Sequence, residues 1–387
     1  MARIIRVGGS SSSVSWHEAL KDLRADDVLM LGPGYYYLPQ GITLTDITIK
    51  GTGSLPEDTT IYGYISVSED SRYVTLENLC IDTTTEHNSL SVPVGVDGYL
   101  TLRNCFIKGT GTDTAAIAVN GKITLELYST KIVNGSVSMY DHANFRLEMN
   151  DSEIDYFSDK YCALAIEGEG TAIVNNSKIH GSINTFAKTN AELDLNNSEV
   201  DYVLLHGQTW MNMLNSKVKS ASDSCLYLSD DCWSNIMNST FLGGVYIDKK
   251  TRTIIQNSTI NRMIVVDEAK VTMNNAVILA HADFQDQAKC DATRVTFTGN
   301  MNYEYFLALS GEANMKGHNI VLNPNQANLA VKDEAKFSAS VVANDNEQVE
   351  VEYNKRPNVY ILGVKWTAKK KIVCKIEAVL LMQARPI

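Results

Sequence analysis

The sequence predicts an all-β fold: a single-stranded right-handed parallel β-helix of about thirteen coils, three short strands per coil, with a short capping helix at its N-terminus. Two observations predict it. The first is an echo: "NNSKI" at Asn175 returns as "NNSEV" at Asn196, "LNSKV" at Leu214, "MNSTF" at Met237 and "QNSTI" at Gln256. Anchored on the residue before the small hydroxyl, the repeat runs through Asn78, Asn104, Ser129, Asp151, Asn176, Asn197, Asn215, Asn238, Asn257 and Asn275, at intervals of 18 to 26 residues. Such intervals belong to coil-forming repeats. Weaker copies follow in "AKCDATRV", "ANMKGHNI" and "AKFSASVV".

The second observation is the period inside each repeat. Val271, Met273 and Asn275 share one parity and Thr272 and Asn274 the other, so the run into the anchor alternates as a strand does. An aliphatic or aromatic residue three positions after the anchor (Ile179, Val200, Val218, Phe241, Ile260, Ile278) marks a second inward run across a tight turn. Upstream segments such as "CLYLS", "GVYID" and "MIVVD" supply a third.

Parity places the anchor inside, where a sharp bend leaves backbone groups to be paired. Asparagine tolerates turn geometry and carries donors and an acceptor, so an inward asparagine ladder is expected at Asn78, Asn104, Asn176, Asn197, Asn215, Asn238, Asn257 and Asn275. These residues resemble the ladder of the pectate-lyase-like right-handed β-helix superfamily. "SWHEALKDLRADDVLMLGPGYYYL" resembles the helix, strand and Pro-Gly turn with which such solenoids begin. The resemblance spans roughly residues 15 to 345 and implies architecture more than activity.

At the N-terminus, Ser15 and Glu18 form a capping-box signature, and Trp16, Ala19, Leu20 and Leu23 follow at helical spacing. The expected organisation is a cap over residues 1–40, the β-helix over 41–345 and a basic cap or docking segment over 346–387. From Glu350 onward eight Lys or Arg (Lys355, Arg356, Lys365, Lys369, Lys370, Lys371, Lys375, Arg385) stand against three Glu, in a chain of net charge −11.

That acidic balance argues against nucleic acid as a partner. The 387 residues contain no stretch of membrane-spanning length and begin with no secretion signal; the expectation is a cytoplasmic protein, or a secreted one if a signal peptide has been lost. The seven cysteines show no zinc-site spacing and read as buried free thiols; no metal or cofactor is expected.

Two columns carry candidate chemistry. Directly after the inward aliphatic residue come Asp155, His180, Asp201 and Lys219, four ionisable residues on consecutive coils. The resemblance implies that catalytic groups gather near this turn. Asp155 and Asp201, two coils apart, would sit about 9 to 10 Å apart, at the upper end of the range of inverting glycosidases. The competing account is a structural charge ladder. The second column, Trp210, Trp233 and Arg252, faces outward by parity and would form a strip for sugar rings or another protein. Of the polygalacturonase signatures the chain offers the pair Asp230–Asp231, which reads as a turn, and His180 and His206, each followed by glycine.

The expected function is therefore a non-catalytic scaffold that binds a polysaccharide or a protein. The alternative is a polysaccharide-active enzyme, a hydrolase or lyase of the resembled superfamily.

Overall fold

The computed structural model describes residues 3–370 apart from 9–12, 84–85, 112–113, 159, 161, 300–302, 323–327, 343–347, 354–357 and 363–364. These residues form an all-β right-handed parallel solenoid of about 15 turns, slightly more than the sequence repeat suggests. Three ladders run along it. In the first, Glu169–Asn175 pairs residue for residue with Asn144–Asn150 on one side and Asn190–Asn196 on the other. The second stacks Phe106–Lys108, Lys131–Val133 and Glu153–Asp155; the third stacks Ile117–Val119, Val137–Met139 and Leu164–Ile166.

In lean coils the second and third strands fuse. Lys178–Thr185 serves both ladders, with a register shift between Ile179 and Ser182. A bulge bends a strand without ending it, so the corner needs no loop. Elsewhere the two strands stay separate, as Glu153–Asp155 and Leu164–Ile166 do.

Inside, like residues stack on like. Ile107, Ile132, Ile154, Ile179, Val200, Val218, Phe241, Ile260, Ile278 and Phe297 form one continuous buried column. Each coil buries its apolar face only against its two neighbours and the opposite wall, which is how a solenoid builds one core from repeats that could not fold alone.

The anchors lie at the corner between the first and second ladders, and they correct the parity argument. From Asn78 to Asn275 every anchor has φ between 48° and 54°, the left-handed region that Asn and Asp tolerate better than most residues. A left-handed residue turns the chain without taking a place in the alternation, so Met273 is buried, Asn274 half-buried, Asn275 exposed and Ala276 buried. The asparagines expected inside are thus outside. Some of their amides bond in pairs along the outer corner, Asn104 to Asn78 at 2.7 Å and Asn275 to Asn257 at 2.9 Å.

The residue that does turn inward is the following hydroxyl. Ser152, Ser177, Ser198, Ser216, Ser239 and Ser258 form a buried stack in which each backbone N–H donates to the Oγ one coil on, at 3.0 Å from Ser152 to Ser177 and 3.1 Å from Ser177 to Ser198. Each Oγ in turn donates to the carbonyl two residues before it, as Ser177 does to Asn175 at 2.7 Å. The hydroxyl, not the amide, pairs the buried backbone at the bend.

The helix Trp16–Lys21 forms with both arms of its Ser15–Glu18 capping box and buries Ala19. It lies between the first two strands of the first ladder, Ile4–Val7 and Val28–Leu31, which pair directly. At the other end, strand pairing passes beyond residue 345. Gln348–Tyr353, Asn358–Leu362 and Lys365–Lys370 continue the ladders, so the basic region starts as further coil. Lys355, Arg356, Lys371, Lys375 and Arg385 fall outside the described residues. No helix among the described residues is long and apolar enough to cross a membrane.

Candidate functional site

The ionisable column is only partly assembled. Asp155 and His180 stand in register, and His180 Nδ1 lies 4.0 Å from Asp201 Oδ2. That same oxygen accepts the Gly181 backbone N–H at 3.0 Å, at the bulge of the fused strand. Lys219 turns away from the column to Glu199, 3.2 Å distant, and holds that carboxyl below its usual range. Asp155 is exposed. Asp201→Ala is therefore expected to lose about 1 kcal/mol of stability through the unpaired Gly181 N–H, while Asp201→Asn, which keeps an acceptor, loses less. Urea unfolding of both variants checks this, and equal losses would mean that charge, not hydrogen bonding, is what Asp201 supplies.

The tryptophan column stands on the outer face of the first ladder. Trp210 pairs with Trp233 and Trp233 with Arg252; the rings meet at 5.7 Å and 45°, and Trp210 is 59% exposed. Beyond Arg252 the column turns basic with Lys270 and Lys289.

A third face, which column counting missed, is the outer side of the third ladder. Pairing of Met139 with Ile166 and of Ile166 with Thr185 brings the next residues, Tyr140, Glu167 and Phe186, into one line. His206 follows one coil on. Its ring lies 5.4 Å from Tyr227, which stacks on Tyr246 at 5.3 Å and 21°. The Tyr227 hydroxyl donates to Asp248 Oδ2 at 2.8 Å, and burial, then that bond, raises the phenol's pKa.

At one end of this strip lies a cavity of 380 Å³, whose lining includes Ser138, Tyr140, Tyr156, Glu167, Asn184 and Phe186. A neighbouring cavity of 290 Å³ shares Lys160, Cys162 and Asn184 with it. Burial raises the Cys162 thiol, which makes it a poor nucleophile. Burial, and behind it the charge of Asp141, also raises the Glu167 carboxyl. Asn184 Oδ1 is buried without a partner.

No known family model matches this chain, and no curated protein matches it.

A further concavity, of 760 Å³, lies along the turns that lead from the third ladder into the first, where Asp230, Asp231, Asp267, Glu268, Asp286 and Glu312 outnumber Lys249 and Lys250. Turn chemistry accounts for much of it. Asp230 Oδ2 accepts the Gly207 N–H at 3.0 Å and Asp267 Oδ2 the Lys249 N–H at 3.2 Å, one coil back in each case. Lys249 pairs with Asp230 and holds its carboxyl low. Among the described residues no group of three His, Cys, Asp or Glu side chains could hold a metal ion.

Proposed function

We propose that the protein is a binding scaffold, without catalysis, that takes an extended carbohydrate chain along the outer face of the third ladder. The observation that carries this reading is the row of rings from Phe186 through His206 and Tyr227 to Tyr246, set on successive coils and ending in a cavity with polar walls. Rings on successive strands sit about 5 Å apart, close to the repeat of a sugar chain; Tyr227 and Tyr246, stacked on one another, leave their ring edges to such a chain and Phe186 its exposed ring, while carboxyls meet its hydroxyls. Phe186 is 40% exposed and available for contact.

The polysaccharide-active alternative drew on Asp155, His180, Asp201 and Lys219. With Lys219 bound to Glu199 and Asp201 to the Gly181 N–H, two of the four are engaged in the fold and only Asp155 and His180 are left to act, which favours binding over turnover. The tryptophan strip at Trp210, Trp233 and Arg252 remains the candidate for a protein partner.

The test is a glycan panel scored for both binding and chain shortening. Tyr227→Ala and Tyr246→Ala are each expected to weaken binding about tenfold, roughly 1.4 kcal/mol, with no shortening by any variant. Undiminished binding by both variants would move the site off this face, and chain shortening by the wild type would replace the scaffold with an enzyme.

A further inference from the structure

The cavity at the end of the strip is lined by groups that favour one kind of sugar. Three aromatic side chains, Tyr140, Tyr156 and Phe186, surround two acceptors, Glu167 and Asn184. Asn184 Oδ1 has no hydrogen-bond partner. Glu167 lies with Asp141 as its nearby charge, and burial adds to the cost of its ionised form. Asp141 itself is exposed and stands outside the cavity, whose lining holds one lysine, Lys160, also exposed. Farther along the strip Asp248 is 8% exposed, and its Oδ1 is also unpartnered.

A carboxyl that partial burial pushes toward its neutral form is restored to the charged form by a cation placed beside it. Acceptors ringed by aromatic faces are the setting in which an ammonium group is held best, by hydrogen bonds at its protons and by the ring faces around it. We infer that the ligand is an amine-bearing glycan, a polymer of amino sugars, and that the cavity takes one protonated amine between Glu167, Asn184 and the rings of Tyr140, Tyr156 and Phe186. This rests on the carbohydrate reading of the same face.

A basic peptide would offer the same charge. The flank of the solenoid gives it no purchase by strand addition, because a third-ladder strand such as Leu164–Ile166 is already paired on both sides, with Val137–Met139 and with Ile183–Thr185. What the face offers instead is a row of rings, which suits a chain of flat, hydroxylated rings better than a peptide.

The experiment is calorimetric titration of the full chain with three hexasaccharides, of glucosamine, of N-acetylglucosamine and of glucose, and with a lysine hexapeptide, in mildly acidic buffer where the sugar amine is protonated. The glucosamine hexamer is expected to bind at least about tenfold more tightly than the other three. Glu167→Gln is expected to abolish that preference, bringing the glucosamine hexamer to the affinity of the neutral hexamers. The same variant is expected to unfold at the wild-type temperature or above it at neutral pH. Glu167 has its folded pKa raised, so the folded state holds the proton more strongly than the unfolded one; stability falls as pH rises through that range, and the amide removes the loss.

Equal affinity for the three hexasaccharides, or a preference that survives in Glu167→Gln, overturns the amine inference while leaving the carbohydrate face standing. A lysine hexapeptide that binds as tightly as the glucosamine hexamer overturns it as well, in favour of recognition by charge alone. Silence from every sugar overturns both readings.

Discussion

Gly170→Ala is expected to destabilise the protein by about 3 kcal/mol or more, among the largest effects of any single methyl addition to it. Gly170 has φ +153°, and a Cβ there would lie 1.9 Å from the carbonyl oxygen of Phe145. That oxygen is backbone, on the neighbouring strand of the first ladder, so no side chain can swing aside. Relief requires the pair of strands to part, and Glu169–Asn175 is held to Asn144–Asn150 in a seven-residue register. Urea unfolding monitored by circular dichroism gives the number. A loss under about 1 kcal/mol would show that the stack can open locally at little cost, and the contact would then be tolerated by the coils rather than required by them.

The serine stack gives the second large effect. Ser198→Ala removes the acceptor for the buried Ser177 N–H and the donor to the Asn196 carbonyl, bonds of 3.1 and 2.9 Å. A buried donor left without a partner costs about 1–3 kcal/mol, more than the hydrogen bond adds when made. Ser198→Thr should restore most of it, since Thr130 occupies the equivalent position and its Oγ1 accepts from Cys105 N at 3.4 Å. Ser177→Ala keeps its own N–H and removes instead the acceptor for the Ser152 N–H, so the double alanine variant should lose about the sum of the two single losses. A double loss well short of that sum would mean that the coil between them relaxes and couples the two bonds. Exchange of the Ser177 amide proton is a second readout, expected to quicken in Ser198→Ala alone.

That serine shows how far the sequence could be read. The repeat, the strand period and the turn residue all follow from short-range chemistry, and the anchors from Asn78 to Asn275 do sit at the corner. What parity could not supply was the direction of the corner residue. Counting by twos through Val271, Met273 and Asn275 assumes that every residue advances the pleat, and a left-handed residue does not. The pair "NS" therefore had to be divided the other way, with asparagine for the backbone angle and serine for the hydrogen bond.

The face of the third ladder was hidden for another reason. Its strands lie beyond a corner whose length changes from coil to coil, from a bulge within Lys178–Thr185 to the longer connection between Glu153–Asp155 and Leu164–Ile166. Counting from an anchor loses register across such a corner. Tyr140, Glu167 and Phe186 are 27 and 19 residues apart in the chain, and strand pairing alone shows them to be neighbours. The outward set of Trp210 and Trp233 lies before the anchor, where no corner intervenes, and its placement followed directly.

The coil-to-coil bonds span only a short length of chain, 25 residues from Ser152 to Ser177 and 18 from Ser198 to Ser216. An all-β protein usually has to close long loops before its strands can meet, and folds slowly for that reason. Here, among the described residues, no strand's pairing partner is farther along the chain than the next turn, so the polypeptide can grow as a zipper does, each finished coil offering a template edge for the next. The same geometry predicts how it comes apart: pulled from one end it should peel away coil by coil, leaving the remainder intact until its turn arrives.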